Sequence, residues 1–433
     1  MALDLDFHNS DTLYATHGLH AFAAKFPPQL AAWAIERFSH PQEIICDPMA
    51  GSGTVLIEAW RLGRKACGFD IDPLACLIAR AKSTPIDVNL LCWYNAKLLT
   101  VIAGLRESQV EGLAAGTIPE EWLAEFQQPN LPRLDYWFMP QVQAALSLLK
   151  VAMKRVDAPS AVRTLWQALF SSLIVARTSV ANARDLVHSR HHFHAHTTPP
   201  DTLERFRRRL VQAERQIGDL MSRRVGSSDN PSPAVSCADS RNIPLDAESV
   251  NLVVTSPPYC NALDYTRAHK FGIVWLAEEL GVELDAYVQR GRDYIGSERG
   301  IKGRKALPTG VAEADCVSER VRAVDPMRGH LVALYFADMA RILAEVGRIL
   351  CPGGHAVLVV CPSNIRRIPI PWHEAFASIA ENAEAGYRMR AVETIQRTLD
   401  DRRRILPYMN AGQQLAGRMK MEYVLVLRKE AAP

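Results

Sequence analysis

The chain has 433 residues, 48% hydrophobic and 22% charged, with a formal net charge of +3 and a pI near 8.3. That length supports one main domain with insertions, or two domains, and so balanced a charge permits nucleic-acid binding through local patches without demanding it. The acidic start, Met1 to Asp6, has no apolar core of a signal peptide, and no apolar stretch reaches 18 residues without a charge, which argues against a membrane span.

In chain order, polar Thr16-His17-Gly18-Leu19-His20 and Lys25-Phe26-Pro27-Pro28 precede an amphipathic helix predicted over 29–38, which Pro28 is placed to open. Residues 43–47 read as a short strand. The glycine turn Pro48-Met49-Ala50-Gly51-Ser52-Gly53-Thr54 then leads into a helix over about 55–62 that stops at Gly63. A second strand covers 65–70, and Pro73 opens a helix to about residue 82. Strand, glycine turn, helix, strand is the first half of a doubly wound, Rossmann-like α/β fold.

Residues 84–232 interrupt that pattern with helices expected at 141–156 and 161–183, a basic amphipathic helix at about 202–224 and a Ser/Pro-rich linker at 227–233. The sheet resumes at 234–239, and the apolar run 249–254 ends as a strand at Thr255. Residues 284–330, polar and rich in glycine and arginine, read as a long loop or small insertion. A helix over 331–350 ends in Pro352-Gly353-Gly354, a buried strand covers 355–361, and strands at 388–397 and 422–428 suit an antiparallel hairpin at the sheet edge. The expected organisation is a cofactor-binding half (1–83), a mainly helical insertion (84–232) that is a candidate for target recognition, and a catalytic half (233–433).

The glycine turn lets backbone approach a ligand closely, and the helix after it points its N-terminus at the same place. The turn has neither the Gly-Lys-Ser/Thr ending of a phosphate-binding loop nor the third glycine of a dinucleotide fingerprint. Acids instead close three strands: Asp47 suits an ammonium group, Asp70 both hydroxyls of a ribose, and Asp239 an adenine edge. A nucleoside carrying an amino acid, without phosphates, satisfies all three. In Thr255-Ser256-Pro257-Pro258-Tyr259 two prolines force the chain out at the carboxyl end of a strand, where open α/β sheets bind ligands. A hydroxyl, rigidly held carbonyls and an aromatic face together can grip a planar base bearing an amino group.

At these residues the chain resembles the S-adenosylmethionine-dependent DNA amino-methyltransferases. Asp47-Pro48-Met49-Ala50-Gly51-Ser52-Gly53-Thr54 looks like their cofactor motif, and Thr255 to Tyr259 like their catalytic motif in the serine form associated with cytosine-N4 enzymes. His20 with Lys25, Phe26 and the two prolines is similar to the segment covering the methionine part of the cofactor. The resemblance spans 16–82, 234–276 and, more weakly, 331–429. It implies S-adenosyl-L-methionine held by His20, Lys25, Phe26, Asp47, Pro48, Ala50, Gly51, Gly53, Thr54, Asp70, Asp72, Asp239, Ser240 and Thr255, and catalysis by Ser256, Pro257, Pro258 and Tyr259. Asn261, Asp264, Tyr265, Arg267 and Lys270 are candidate contacts to double-stranded DNA with the target base flipped out. A flexible basic track with Arg290, Arg292, Arg299, Lys302 and Arg304 is another.

The implied reaction is methylation of cytosine N4, with adenine N6 of DNA and guanine N2 of RNA as alternatives, and a non-catalytic recognition subunit as a further one. A restriction-modification setting, with a cognate endonuclease as partner and a cytoplasmic, nucleoid-associated location, follows from the same resemblance. No metal site is expected: the histidines at 188, 191, 192, 194 and 196 do not match zinc spacings and read as a polar loop. The nine cysteines, with no Cys-x-x-Cys, read as reduced, mostly buried thiols, Cys260 among them as a packing residue. The arginines of the 202–224 helix read as a solvated face or a phosphate track.

Overall fold

Near-continuous apolar runs such as 356–360 and 424–427 dictate a sheet covered on both faces, and the computed structural model has that architecture. It describes residues 5–23, 25–175, 179–182, 196–226, 230–260, 264–301, 303–382, 388–399 and 421–430. The main sheet contains β1 (Ile44–Asp47), β2 (Lys65–Asp70), β3 (Ala234–Cys237), β4 (Val250–Thr255), β5 (Leu350–Val360), β8 (Met389–Thr398) and β9 (Met421–Lys429); β6 (Ser363–Ile365) and β7 (Ile368–Ile370) form a separate ribbon. The order is β3-β2-β1-β4-β5-β9-β8, parallel as far as β5, with β9 antiparallel to β5 and β8 antiparallel to β9. The order reverses between β1 and β4, the crevice where such sheets bind ligands.

Period-two patterning sorts the strand residues between two cores. Leu252, Val254, Val357, Val359, Val424 and Val426 face α1 (Pro28–Phe38) and α2 (Thr54–Arg61). Val253, Ala356, Leu358, Leu425 and Leu427 face the long helix Pro326–Ile349 and the helix Trp372–Glu381. A third core joins α3 (Pro73–Ser83), α4 (Val88–Ser108), and the helices Pro140–Arg155, Ser160–Ile174, Thr202–Ser222 and Tyr265–Trp275 through residues such as Leu77, Leu98, Leu149, Trp166, Phe206 and Trp275. The helical segment is thus fused to α3 and to the helix that follows the Ser-Pro-Pro-Tyr turn. α4 is long and apolar enough to cross a membrane by length and composition, and here it packs on Pro140–Arg155 and Thr202–Ser222.

Several boundaries differ from expectation. The helix expected to run to residue 183 ends at Ile174, because the Ser179 hydroxyl and the Val180 N–H take the carbonyls of Ile174 and Leu173. The supposed loop at 284–330 contains helices Leu284–Arg290 and Ala312–Val324. In the second, Ala314, Val317 and Val321 supply a buried stripe that interleaved charges disguise in the sequence. The long helix starts earlier than expected, at Pro326, capped by the Asp325 carboxylate, which accepts from the Arg328 N–H. Of the nine cysteines four are buried, two half-buried and three (Cys92, Cys237, Cys316) exposed, so they are not mostly buried; all are free.

Candidate active site

Asp47 and Thr255 end the adjacent parallel strands β1 and β4, and the Thr255 hydroxyl donates to Asp47 Oδ1 at 2.7 Å in a buried bond. The Met49 N–H reaches the same oxygen at 3.1 Å, and Oδ2 takes no hydrogen bond among the described residues. Burial pushes the Asp47 carboxyl up to about 7. The following turn places Gly51 and Gly53 at φ 50° and 79°. A Cβ on Gly51 would come within 3.1 Å of the Phe22 ring, so glycine is required both by conformation and by close approach.

The Gly51 N–H donates to Asp70 Oδ2 at 2.8 Å, and the Asp72 N–H to Asp70 Oδ1 at 2.9 Å. Burial, reinforced by the charge of Asp72, pushes Asp70 up to about 6. Asp72 itself caps α3, its Oδ1 accepting from Leu74 and Ala75 N–H at 2.8 and 3.0 Å. Its Oδ2 faces His269 Nδ1 at 2.9 Å and accepts from the hydroxyls of Tyr294 at 2.9 Å and Tyr287 at 3.4 Å. Burial works against the Asp72 charge, but His269 and these donors hold its pKa below the usual carboxylate value. Asp239 lies two residues past β3, gripped by the Arg241 guanidinium at 2.6 Å. Arg241 also bridges to Asp338 at 3.0 Å and to the Asp293 carbonyl at 2.9 Å, while Arg304 reaches Asp338 at 2.7 Å.

On the catalytic turn, the Ser256 hydroxyl donates to the Val359 carbonyl of β5 at 3.2 Å, which leaves its oxygen lone pairs free to accept. The Tyr335 hydroxyl donates to the Pro258 carbonyl at 2.8 Å. The Tyr259 hydroxyl donates to Glu422 Oε1 at 3.2 Å, and Glu422 pairs with buried Arg397 at 2.9 Å. Cys260 is buried in the strand-and-helix core, and burial raises its thiol pKa, which suits a packing residue.

These elements converge on one solvent-open cleft with a volume of about 1050 Å³. It is lined by Lys25, Phe26, Asp47, Ala50, Gly51, Thr54, Asp70, Asp72, Asp239, Ser240, Ser256, Pro258, Asp264 and Tyr265 from the sequence-based set. Phe22, His269 and Tyr294 also line it; His269 falls in the 261–270 segment that shares the resemblance, and no motif marks Phe22 or Tyr294. Pro48 and Gly53 shape the turn behind it: Ser240 donates to the Pro48 carbonyl, and Gly53 starts α2. Pro257, Tyr259 and Thr255 lie off its lining.

His20 is placed otherwise than expected. It is buried away from the cleft between the Ala21 carbonyl and the Ser171 hydroxyl, both 2.6 Å away, because the helical segment covers it. Arg267, Lys270, Arg290, Arg292, Arg299 and Arg304 lie outside the cleft, with Arg290, Arg292 and Arg299 exposed. Asn261, Lys302 and the histidines at 188–194 fall outside the described residues. On the basic helix, Arg207 and Arg208 both pair with Glu204, Arg223 pairs with Asp219, and Arg224 lies over the Trp60 ring. Much of its charge is therefore used within the protein.

The cleft therefore lies at the reversal point of a Rossmann-like sheet, with carboxylates at the ends of three strands and a Ser-Pro-Pro-Tyr turn on its rim. Residues 6–81 match the family model for N6/N4 DNA methylases. The chain is 24% identical to the type II methyltransferase M.MvaI of Kocuria varians, across 98% of this chain and 93% of that protein. It is 37% identical over 91 residues to the type II methyltransferase M.MjaII of Methanocaldococcus jannaschii, 21% of this chain and 17% of that one. A solved methyltransferase from Methanosarcina mazei aligns over 92% of this chain and 97% of its own at 8% identity and a TM-score of 0.28, too slight a likeness to bear on the argument. The chain is thus similar to DNA amino-methyltransferases, through the family model over residues 6–81 and through M.MvaI along most of its length.

Proposed function

We propose that the protein methylates the exocyclic N4 amino group of a cytosine flipped out of duplex DNA, using S-adenosylmethionine. The observation that carries the choice of base is Ser256, where an aspartate is the form associated with adenine-N6 enzymes. Its hydroxyl hydrogen is committed to the Val359 carbonyl, so the oxygen meets the cleft as a neutral acceptor.

The cleft fits the cofactor by its donor set. Asp47 has an oxygen without a hydrogen bond among the described residues, and Asp70 keeps lone pairs beside its two backbone donors, acceptors that suit an ammonium group and hydroxyls and disfavour phosphates. Asp47 would hold the ammonium, Asp70 the ribose and Asp239 the adenine edge. When bound, the cofactor supplies a sulfonium methyl, and transfer yields a methylated amine, a neutral thioether and one proton.

An amino nitrogen conjugated to a base is a poor nucleophile because its lone pair is delocalised into the ring. An acceptor at Ser256 Oγ, joined by the Pro257 carbonyl, draws the N–H groups and favours a pyramidal nitrogen. The prolines fix both acceptors, so the chain's contribution is placement rather than acid–base chemistry. Tyr259 is assigned to stack on the extruded base, with Glu422 holding its hydroxyl. The exposed Arg290, Arg292 and Arg299 are assigned to DNA phosphates.

The reading is tested by expressing the protein in a host free of DNA methylation and identifying modified nucleosides in digested DNA and RNA by mass spectrometry. N4-methylcytosine in DNA is expected; N6-methyladenine, or modification confined to RNA, contradicts it.

A further inference from the structure

His269 is 2% exposed, yet its side chain lines the cleft, and neither cofactor motif nor catalytic turn includes it. Its Nδ1 is committed to Asp72 Oδ2 at 2.9 Å, and its Nε2 makes no hydrogen bond among the described residues. The ring packs beside both Phe22 and Tyr265, at centroid distances of 5.3 and 6.2 Å. Asp72 is fixed in turn by two backbone N–H groups of α3 and by the Tyr287 and Tyr294 hydroxyls. A carboxylate with that many donors is a mounting for the imidazole and is not itself available as a ligand for the cofactor.

We propose that His269 Nε2 donates a hydrogen bond to a ribose hydroxyl oxygen of the nucleoside cofactor, with Asp72 as the residue that positions the ring. The proposal rests on the reading of the cleft as a nucleoside site. Both Asp70 oxygens already accept a backbone N–H and keep lone pairs for hydroxyl hydrogens. A vicinal diol offers two hydrogens and two oxygens, so an acceptor alone satisfies only half of it; a donor in the same cleft supplies the other half. The groups facing His269 are Asp72 and Asp70 from the β2–α3 junction, His20 from the N-terminal segment, Tyr265 from its own helix, and Tyr287 and Tyr294 from beyond it. Burial disfavours a charge on His269, but Asp72, with help from Asp70, holds its pKa above the ordinary histidine value; with Nδ1 committed to Asp72, Nε2 is a donor while the ring is charged.

The test measures calorimetric affinity for S-adenosylhomocysteine and for its 2′,3′-dideoxy analogue, in the wild type, His269→Asn and His269→Gln. Asparagine keeps a donor where Nδ1 meets Asp72 and removes the one in the cleft; glutamine does the reverse. His269→Asn is expected to lose about tenfold to a hundredfold in affinity for S-adenosylhomocysteine, with the dideoxy analogue nearly unaffected, and His269→Gln to keep most of the affinity. In the wild type alone, discrimination between the two ligands should narrow as pH rises and the His269 ring loses its charge. Equal weakening toward both ligands, or unchanged binding by His269→Asn, overturns the proposal, as does pH-independent discrimination if neither variant folds. A wild type that binds S-adenosylhomocysteine but fails these comparisons overturns the His269 assignment alone; a wild type that binds none overturns the cofactor reading itself.

Discussion

The Thr255 hydroxyl donates to Asp47 Oδ1 across 2.7 Å in the protein interior, so the last residue of the catalytic strand and the last of the first strand form one unit. The bond crosses the point where the strand order reverses, and the turns on either side of it carry the two halves of the site. Thr255→Val conserves shape and removes the donor. Because the buried carboxylate loses a partner, the variant should be less stable by about 1–3 kcal/mol in urea denaturation, whereas Thr255→Ser should stay close to the wild type.

The cleft carboxylates set a pH dependence. Burial raises Asp47 to about 7 and Asp70 to about 6, against an ordinary value of 3.8. The fold therefore keeps protons that the unfolded chain has released. Their contribution favours the fold at low pH and is lost as pH rises from about 4 to about 7. The difference in unfolding free energy between the wild type and Asp47→Asn should accordingly change by roughly 1.4 kcal/mol for each pH unit crossed in that window, and level off above it. A difference that stays constant from acid to neutral pH contradicts the assignment.

Arg241 joins the end of β3, the long helix and the loop that carries the basic track, through Asp239, Asp338 and the Asp293 carbonyl. Arg241→Met should cost about 1–3 kcal/mol and raise amide hydrogen exchange in residues 291–305 relative to the sheet. A stability loss without faster exchange there would show that Arg241 does not tether the loop.

Exposed Arg290, Arg292 and Arg299 supply a prediction on DNA binding. Each arginine that neutralises a phosphate contributes about 0.9 to the slope of log affinity against log salt. Replacing all three by glutamine should lower that slope by about 2 to 3 in a titration followed by fluorescence anisotropy. An unchanged slope assigns the phosphate contacts elsewhere.

How far the sequence discloses this site depends on whether a feature is local. The turn 47–54 is legible because strand, glycines and helix start lie within a few residues, and the Ser-Pro-Pro-Tyr turn because two prolines end a strand unambiguously. Asp239 is placed by its position after a strand, but Asp338, which shares Arg241 with it, lies far along the chain inside a helix whose pattern shows only a buried face. Tyr287 and Tyr294 are silent in the sequence, and His269 shows there only as part of the segment after the catalytic turn, because their shared partner, Asp72, is 197 to 222 residues away and no periodicity marks a hydrogen bond of that kind. His20 fails for the reverse reason: its local motif does lie near the cofactor turn, but Ser171, from the helical segment, claims its ring. The helix at 312–324 is hidden because its apolar stripe is only one face wide among charges.

The central claim is that the Ser256 oxygen accepts from the target amino group. Single-turnover methyl transfer by Ser256→Ala, with S-adenosylhomocysteine affinity measured in parallel, tests it most directly. Loss of the acceptor should slow transfer to cytosine by about 100-fold or more while cofactor affinity stays within about twofold. Transfer at the wild-type rate, or a loss matched by equal loss of cofactor binding, would contradict the account.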